Sequence, residues 1–334
     1  MPVNIELLDD FESVERDAAG ALDRTSRSSL YDRLEHYRRI AAHCPPPGKP
    51  VVLAGRNGAR RAWLFLAIEG VRARAFTAWY SLRFGVAGDL DDDVMTAMAA
   101  TLRDGGVASV ELAPLDDFEP LRQAFRKAGW FVQVSEKTGN WRAPTEGMSF
   151  ETFWAERPAK LRNTARRRAK AVDLDIEVHR QFSECAWADY EAVYRASWKP
   201  EEGSFPFLRA LAEQEGAAGT LRLGIAKKDG QPIAAQLWLV ENGEATIHKL
   251  AYSESEKALS PGTLLSVAMF RHVLDEDRVG LIDYGTGDEG YKADWMTERR
   301  PLWRLVAYNP RSLKGLAGAA RATASALVRR LRSR

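Results

Sequence analysis

The chain has 334 residues, 45% of them hydrophobic and 28% charged, with a formal net charge of +2. That length suits two domains of about 150 residues, each able to bury a core. Two cysteines, Cys44 and Cys185, exclude a disulfide framework and a cysteine zinc cluster, and no metal site is expected.

The N-terminus, MPVNIELLDD, lacks the charged-then-apolar order of a signal peptide, and no run reaches the ~18 apolar residues of a spanning helix. The expectation is a cytoplasmic protein. Residues 5–43 read as helical, with a Ser/Thr-rich interruption at Thr25 to Ser29, and Pro45, Pro46 and Pro47 end that segment. Val51 to Ala54 and Ala62 to Ile68 read as strands joined by an Asn57-Gly58 hairpin turn, and Ala73 to Tyr80 as a third strand. A helix from Asp91 to Arg103, a strand from Val107 to Leu112, a helix from Phe118 to Ala128 and two strands, Trp130 to Val134 and Gly139 to Arg142, complete the first half.

The second half repeats the plan. A helix from Ala186 to Ser197 leads to strands at Arg222 to Ala226, Ile233 to Val240 and Ala245 to Tyr252, with turns at Asp229-Gly230 and Asn242-Gly243. A loop, a helix from Pro261, a strand from Val279 to Tyr284, a short helix around Tyr291 and a strand from Leu302 to Tyr308 follow. Gly58 and Gly230, Tyr80 and Tyr252, and Glu111 and Asp283 are each 172 residues apart. Coincident elements at one offset argue for an internal duplication. The expected division is residues 1–145, residues 146–310 and a basic tail, 311–334.

Ser260-Pro261-Gly262-Thr263 is a helix start: Ser260 can cap, Pro261 suits the first helical position, and Gly262 and Thr263 leave first-turn amides uncovered. Unpaired N–H groups and the positive end of the helix dipole coincide there, which attracts phosphate. Backbone amides of Gly262, Thr263 and Leu264 would hold a pyrophosphate, with Lys257 adding charge. At the corresponding place in the first half stand Asp89, Asp91, Asp92 and Asp93, which would repel one.

The three antiparallel strands, anion-binding helix start, and following strand, helix and strand resemble the GNAT acyltransferase unit. The tandem arrangement, the Ser260-Pro261-Gly262 start and the run from Asp283 to Trp295, DYGTGDEGYKADW, look like the BioF2-like (CelD-like) acetyltransferases, themselves similar to the FemAB peptidyltransferases. The resemblance implies an α/β (α+β) fold of tandem GNAT-like units, each a mixed, mostly antiparallel sheet flanked by helices. It implies an N-acyltransferase that takes acetyl-CoA or another acyl-CoA as donor and a small-molecule amine or glycan as acceptor, in cell-envelope or polysaccharide synthesis. Where the GNAT pyrophosphate loop usually carries an Arg or Gln and spaced glycines, this loop has Lys257, Ser260, Pro261 and Gly262.

Asp283, late in its strand, is the candidate for binding the amine or relaying its proton, and Lys292 for balancing negative charge on a carbonyl or phosphate. His248 is a third catalytic candidate, sharing a face with Leu250 and Tyr252 by the period of two. Trp198, Tyr252, Tyr284, Tyr291 and Trp295 are candidate acceptor-site walls. Each has a structural alternative: a turn cap for Asp283, a surface pair with Asp288 for Lys292, and core packing for the aromatics. Two further classes stay open: a FemAB-like transferase using aminoacyl-tRNA, and a non-catalytic module on a GNAT scaffold.

Two basic stretches stand apart. Arg157 to Lys170 holds seven cations and no acid, but lacks the interleaved aromatics that stack bases, so a nucleic-acid partner ranks low. Residues 311–334 also hold seven cations and no acid, around Leu313, Leu316, Ala317, Ala320, Ala324, Leu327, Val328 and Leu331 at helical spacing. That pattern fits either a helix on an anionic membrane surface, here the inner face, or a terminal helix docked on its own domain.

Overall fold

The computed structural model describes residues 3–332, with side chains of the last helix described through residue 324. The first half runs β1 (Asn4–Leu8), α1 (Phe11–Ala18), α2 (Leu34–His43), β2 (Lys49–Asn57), β3 (Arg60–Glu69), β4 (Arg72–Ala75), β5 (Ala87–Gly88), α3 (Asp92–Asp104), β6 (Ser109–Leu115), α4 (Glu119–Lys127) and β7 (Phe131–Pro144). There follow α5 (Phe150–Ala155), α6 (Ala159–Ala171), β8 (Asp175–His179), α7 (Glu184–Arg195), α8 (Phe205–Ala217), β9 (Leu221–Lys228), β10 (Gln231–Glu241) and β11 (Glu244–Tyr252). The chain ends with α9 (Pro261–Arg271), β12 (Leu281–Thr286), β13 (Glu298–Tyr308) and α10 (Leu313–Arg332).

Three local expectations fail for physical reasons. Asn4–Leu8 is a strand paired antiparallel with β2, not part of a helix: five residues are too few for a hydrophobic period to distinguish the two. The expected pair of strands around Gly139 is one continuous strand, because Gly139 lets the Asp288 carboxylate come close and does not mark a turn. The helix expected around Tyr291 is a five-residue 3-10 turn, Gly290–Asp294.

Two compact units form: Met1–Thr138 with Pro301–Arg334, and Gly139–Arg300. In the first, β1, β2, β3 and β4 are antiparallel neighbours, β5 adds to β3, and β6 runs parallel to β4. The strand Leu302–Tyr308, which the repeat attaches to the second copy, pairs antiparallel with β6 from Trp303↔Leu115 to Tyr308↔Ser109. A repeat in sequence fixes what a strand looks like but not which edge it fills.

In the second unit the sheet order is β7-β12-β11-β10-β9-β8, with β11 and β12 parallel and the other neighbours antiparallel. The duplication extends to register. β4 meets β6 at Arg72↔Ser109, Ala73↔Val110 and Arg74↔Glu111, and β11 meets β12 at Glu244↔Leu281, Ala245↔Ile282 and Thr246↔Asp283. Every residue of the second set lies 172 positions after its counterpart in the first.

The core of the second unit lies under α9. Leu265, Met269 and Phe270 pack with Ala234, Trp238, Ala245, Ile247, Ile282 and Trp295. Phe270 stands edge-on to Trp238 at 5.1 Å and stacked on Trp295 at 4.7 Å. The helix can approach because Gly224 on β9 has no side chain: a Cβ there would meet Met269 Sδ at 2.5 Å.

Candidate active site

The site grows from the divergence of β11 and β12. The two strands pair over Glu244 to Thr246 and Leu281 to Asp283, after which β11 continues to Tyr252 and β12 to Thr286. A β-bulge sits just past the divergence. Trp238 pairs with Ile247 and Leu237 with Lys249, so His248 is the extra residue. The bulge breaks the period of two on which the expected face of His248 rested. Ala245, Ile247, Leu250 and Tyr252 all face the α9 core, while half-buried Lys249 lies over the Tyr194 ring of α7 at 5.9 Å.

α9 opens beside the end of β11. Ser260 takes a left-handed conformation, φ 55° and ψ 47°, and its side chain does not cap the helix as expected. Its carbonyl instead accepts from the amides of Thr263 (3.1 Å) and Leu264 (3.2 Å). Of the three amides assigned to phosphate, the Gly262 N–H has no hydrogen-bond partner among the described residues. A Cβ at Gly262 would lie 2.9 Å from Tyr252 Cδ1, so this position demands glycine for close approach. Buried Gln236 fixes the turn from below, donating to Gly262 O (3.3 Å) and Ser266 Oγ (2.8 Å) while accepting from Trp238 Nε1 (2.9 Å). Buried Pro261 and Leu264 face inward. Lys257 is exposed and paired with Glu254 at 2.9 Å. α9 carries no acid in its first turn, whereas α3 has its Val94 and Asp93 amides already taken by the Asp91 carboxylate.

Asp283 and Lys292 are both buried, at 2% and 4% exposure, and each is bonded to different groups. Asp283 Oδ1 accepts from Asn140 Nδ2 (2.6 Å) and from the Gly285 amide (2.7 Å), tying the glycine turn to β7. Arg300 completes the tie by donating to Asn140 Oδ1 at 2.7 Å. The Lys292 ammonium donates to Thr286 O (2.6 Å), pairs with Glu289 (3.0 Å) and lies 5.5 Å over the Tyr284 ring. Asp288, its alternative partner in sequence, is instead held by Arg299 at 2.6 Å. Trp295 and Tyr284 are core residues. Trp198 and Tyr291 stay open to solvent, at 46% and 43% exposure, and Trp198 leans on Tyr252 with ring centres 4.2 Å apart.

The structure adds a group of charges that sequence reasoning missed. Glu202, just before α8, and Lys249 on β11 form an ion pair, with both carboxylate oxygens 2.9 to 3.1 Å from Nζ. Lys199 is half-buried next to Trp198, its ammonium 5.8 Å from that ring. No carboxylate lies within ion-pairing distance of it among the described residues. Burial, and next the Lys249 ammonium, pull Lys199 down to about 8; Lys292 adds to this, while Glu202 and Glu289 oppose it. Burial works against the Glu289 carboxyl, but its own backbone amide, Lys292 and Lys199 together hold it below its usual range. Lys249 balances Glu202 and Lys292 balances Glu289, which leaves Lys199 as the odd charge and explains its readiness to be neutral. In sequence Lys249 is one polar residue among several in its strand, beside Glu244, Thr246 and His248, and does not stand out. Nothing local joins it to Lys199, fifty residues earlier.

A family model described as an acetyltransferase (GNAT) domain matches residues 156–293. Over residues 156–293 the chain thus carries an acetyltransferase (GNAT) domain. Lys199, Glu202, Lys249, the α9 start, Asp283, Glu289 and Lys292 all fall inside it. No curated protein matches the sequence. Among solved structures, the C-terminal domain of a protein named as a lysylphosphatidylglycerol synthetase in Agrobacterium fabrum is similar, with a TM-score of 0.59 at 16% identity, over 93% of this chain and 96% of that one. FemX is similar at a TM-score of 0.55 and 10% identity, over 81% of this chain and 94% of that one. A tandem GNAT protein from the clavulanic acid biosynthesis pathway is similar at 0.50 and 14%, over 92% of this chain and 99% of that one. Such identities establish fold, and the GNAT-like architecture agrees with the repeat and its register.

Proposed function

We propose that the protein is an acyl-CoA-dependent N-acyltransferase of the BioF2-like kind, passing an acetyl or longer acyl group to an amine on a small molecule or glycan. The observation that carries this reading is the opening between β11 and β12, bounded by the bulge at His248 on one side and the uncapped Gly262 amide of α9 on the other. A helix mouth with a free N–H and no acid fits the phosphates of the donor. The bulge takes backbone groups out of the ladder, where they can hydrogen-bond the thioester carbonyl as charge develops on it. The acceptor enters past Trp198 and Tyr291, the two exposed aromatics of this unit.

In the reaction the amine nitrogen bonds to the acyl carbon, the carbon–sulfur bond breaks, and CoA leaves as a thiol after a proton passes from the amine. Lys199 is the proton acceptor in this reading, since its amine is substantially neutral near pH 8. Asp283 and Lys292 hold the glycine turn and the following 3-10 turn in place, and so position the end of β12.

A second reading takes aminoacyl-tRNA as donor, and α6 favours it. Lys160, Arg162, Arg166, Arg167 and Lys170 are exposed there, and none meets a carboxylate among the described residues. Calorimetry with acetyl-CoA, longer acyl-CoAs and tRNA separates the readings. Acyl-CoA binding that Gly262→Asp abolishes supports the first. Binding of tRNA alone, lost when Arg166, Arg167 and Lys170 become Glu, replaces it with the second. Binding of neither ligand overturns both.

A further inference from the structure

We propose that the outward face of α10 docks on the surface of an anionic lipid bilayer. The helix is attached to its own unit the opposite way from an ordinary amphipathic helix. Its inward face is made of small residues: a Cβ at Gly318 would lie 2.6 Å from the Tyr308 ring, and one at Gly315 would meet Ala108 O at 2.9 Å and also Asn309 O. Asn309 anchors the start of this segment, donating to Val107 O (2.9 Å) and Arg103 O (3.0 Å). The larger apolar residues point away. Leu313 is 86% exposed and Leu316 49%, and Ala317, Ala320 and Ala324 continue the same open stripe at helical spacing.

The helix does lie against its own unit, one of the two expectations, but through its glycines, so Leu313 and Leu316 stay open; Leu327, Val328 and Leu331 lie outside the described side chains. Lys314 and Arg321, seven residues apart, fall along one edge of the stripe, and both are exposed. Over 311–334 the chain has seven cations and no acid. An apolar stripe bordered by cations matches a bilayer interface that carries negative headgroups. A polyanion such as RNA would satisfy the cations and leave Leu313 and Leu316 in water. A second copy would bring two tails of seven cations together.

The test is co-sedimentation of the full chain with vesicles of phosphatidylcholine and phosphatidylglycerol, against phosphatidylcholine alone. The wild type should partition onto the anionic vesicles and not onto the neutral ones. Leu313→Glu with Leu316→Glu should lower partitioning by about ten-fold or more, and so should Lys314→Gln with Arg321→Gln. These residues are exposed, so circular dichroism and acyl-CoA binding should not change. No partitioning by the wild type, or equal partitioning by the leucine variant, overturns the proposal. So does a concentration-dependent dimer that the leucine substitutions dissolve without any vesicle binding.

Discussion

Replacing Lys199 by methionine keeps the length of the side chain and removes its amine. At pH ~7.5 a lysine titrating at about 8 is roughly one quarter neutral, whereas one titrating at 10.5 is neutral in about one molecule per thousand. The fold thus supplies about two hundred times more free base than an exposed lysine would. If Lys199 accepts the acceptor's proton, kcat/KM for CoA release with a panel of amines should climb with pH toward about 8 and then level. Lys199→Met should abolish that limb and lower the rate by about a hundred-fold or more, with acyl-CoA affinity unchanged. Stability should move the other way. The native state releases this proton near 8 and the unfolded chain near 10.5, so between those values the unfolded chain binds more protons and stability rises with pH. Below 8 both states carry the charge, and folding bears a cost of about 3 kcal/mol, chiefly for burying it and next for holding it near Lys249. Lys199→Met should therefore raise the melting temperature at neutral pH, and the gain should fade as pH rises from about 8 to 10.5. A variant that keeps the pH limb, or one less stable than wild type at neutral pH, refutes the reasoning.

Glu202→Ala leaves the Lys249 ammonium buried without its carboxylate, and chemical denaturation should show a loss of about 3 kcal/mol. Asp283→Ala removes the side-chain acceptor of the Gly285 amide and one of the two acceptors of Asn140 Nδ2, which keeps Gly285 O, so unfolding should show a loss of about 1–3 kcal/mol, with acyl-CoA affinity little changed. Gly262→Ala and Gly262→Asp share the same clash with the Tyr252 ring, but only the second puts a carboxylate at the mouth of α9; calorimetry should show acyl-CoA binding at least about ten-fold weaker for Gly262→Asp than for Gly262→Ala. Equal affinity in the two moves the phosphate site elsewhere.

Much of this protein was legible one segment at a time. The Asn57-Gly58 and Asn242-Gly243 turns, the alternating strands, Pro261 at the first position of α9 and the 172-residue offset are local features, set by backbone preferences and side-chain period. They were enough to place β2, β3, β10, β11, α9 and β12, and to recognise GNAT-like units. The contrast between acid at the start of α3 and glycine at the start of α9 was likewise written in composition.

What tertiary structure decided was which charges meet. In sequence Asp283 and Lys292 fall in one short run and Lys292 has Asp288 as its near acid, yet Asp283 is held by Asn140 from a distant strand and Lys292 by Glu289. Lys199, Glu202 and Lys249 carried no local signal, because a charge becomes chemically special only when other elements remove its water and crowd it with like charge. The His248 bulge inverted a face that the period of two would have kept, and the glycines of α10 turned its leucines outward. Local sequence sets the torsions and the pattern of each segment, but burial and charge coupling depend on groups brought close in space from positions far apart along the chain.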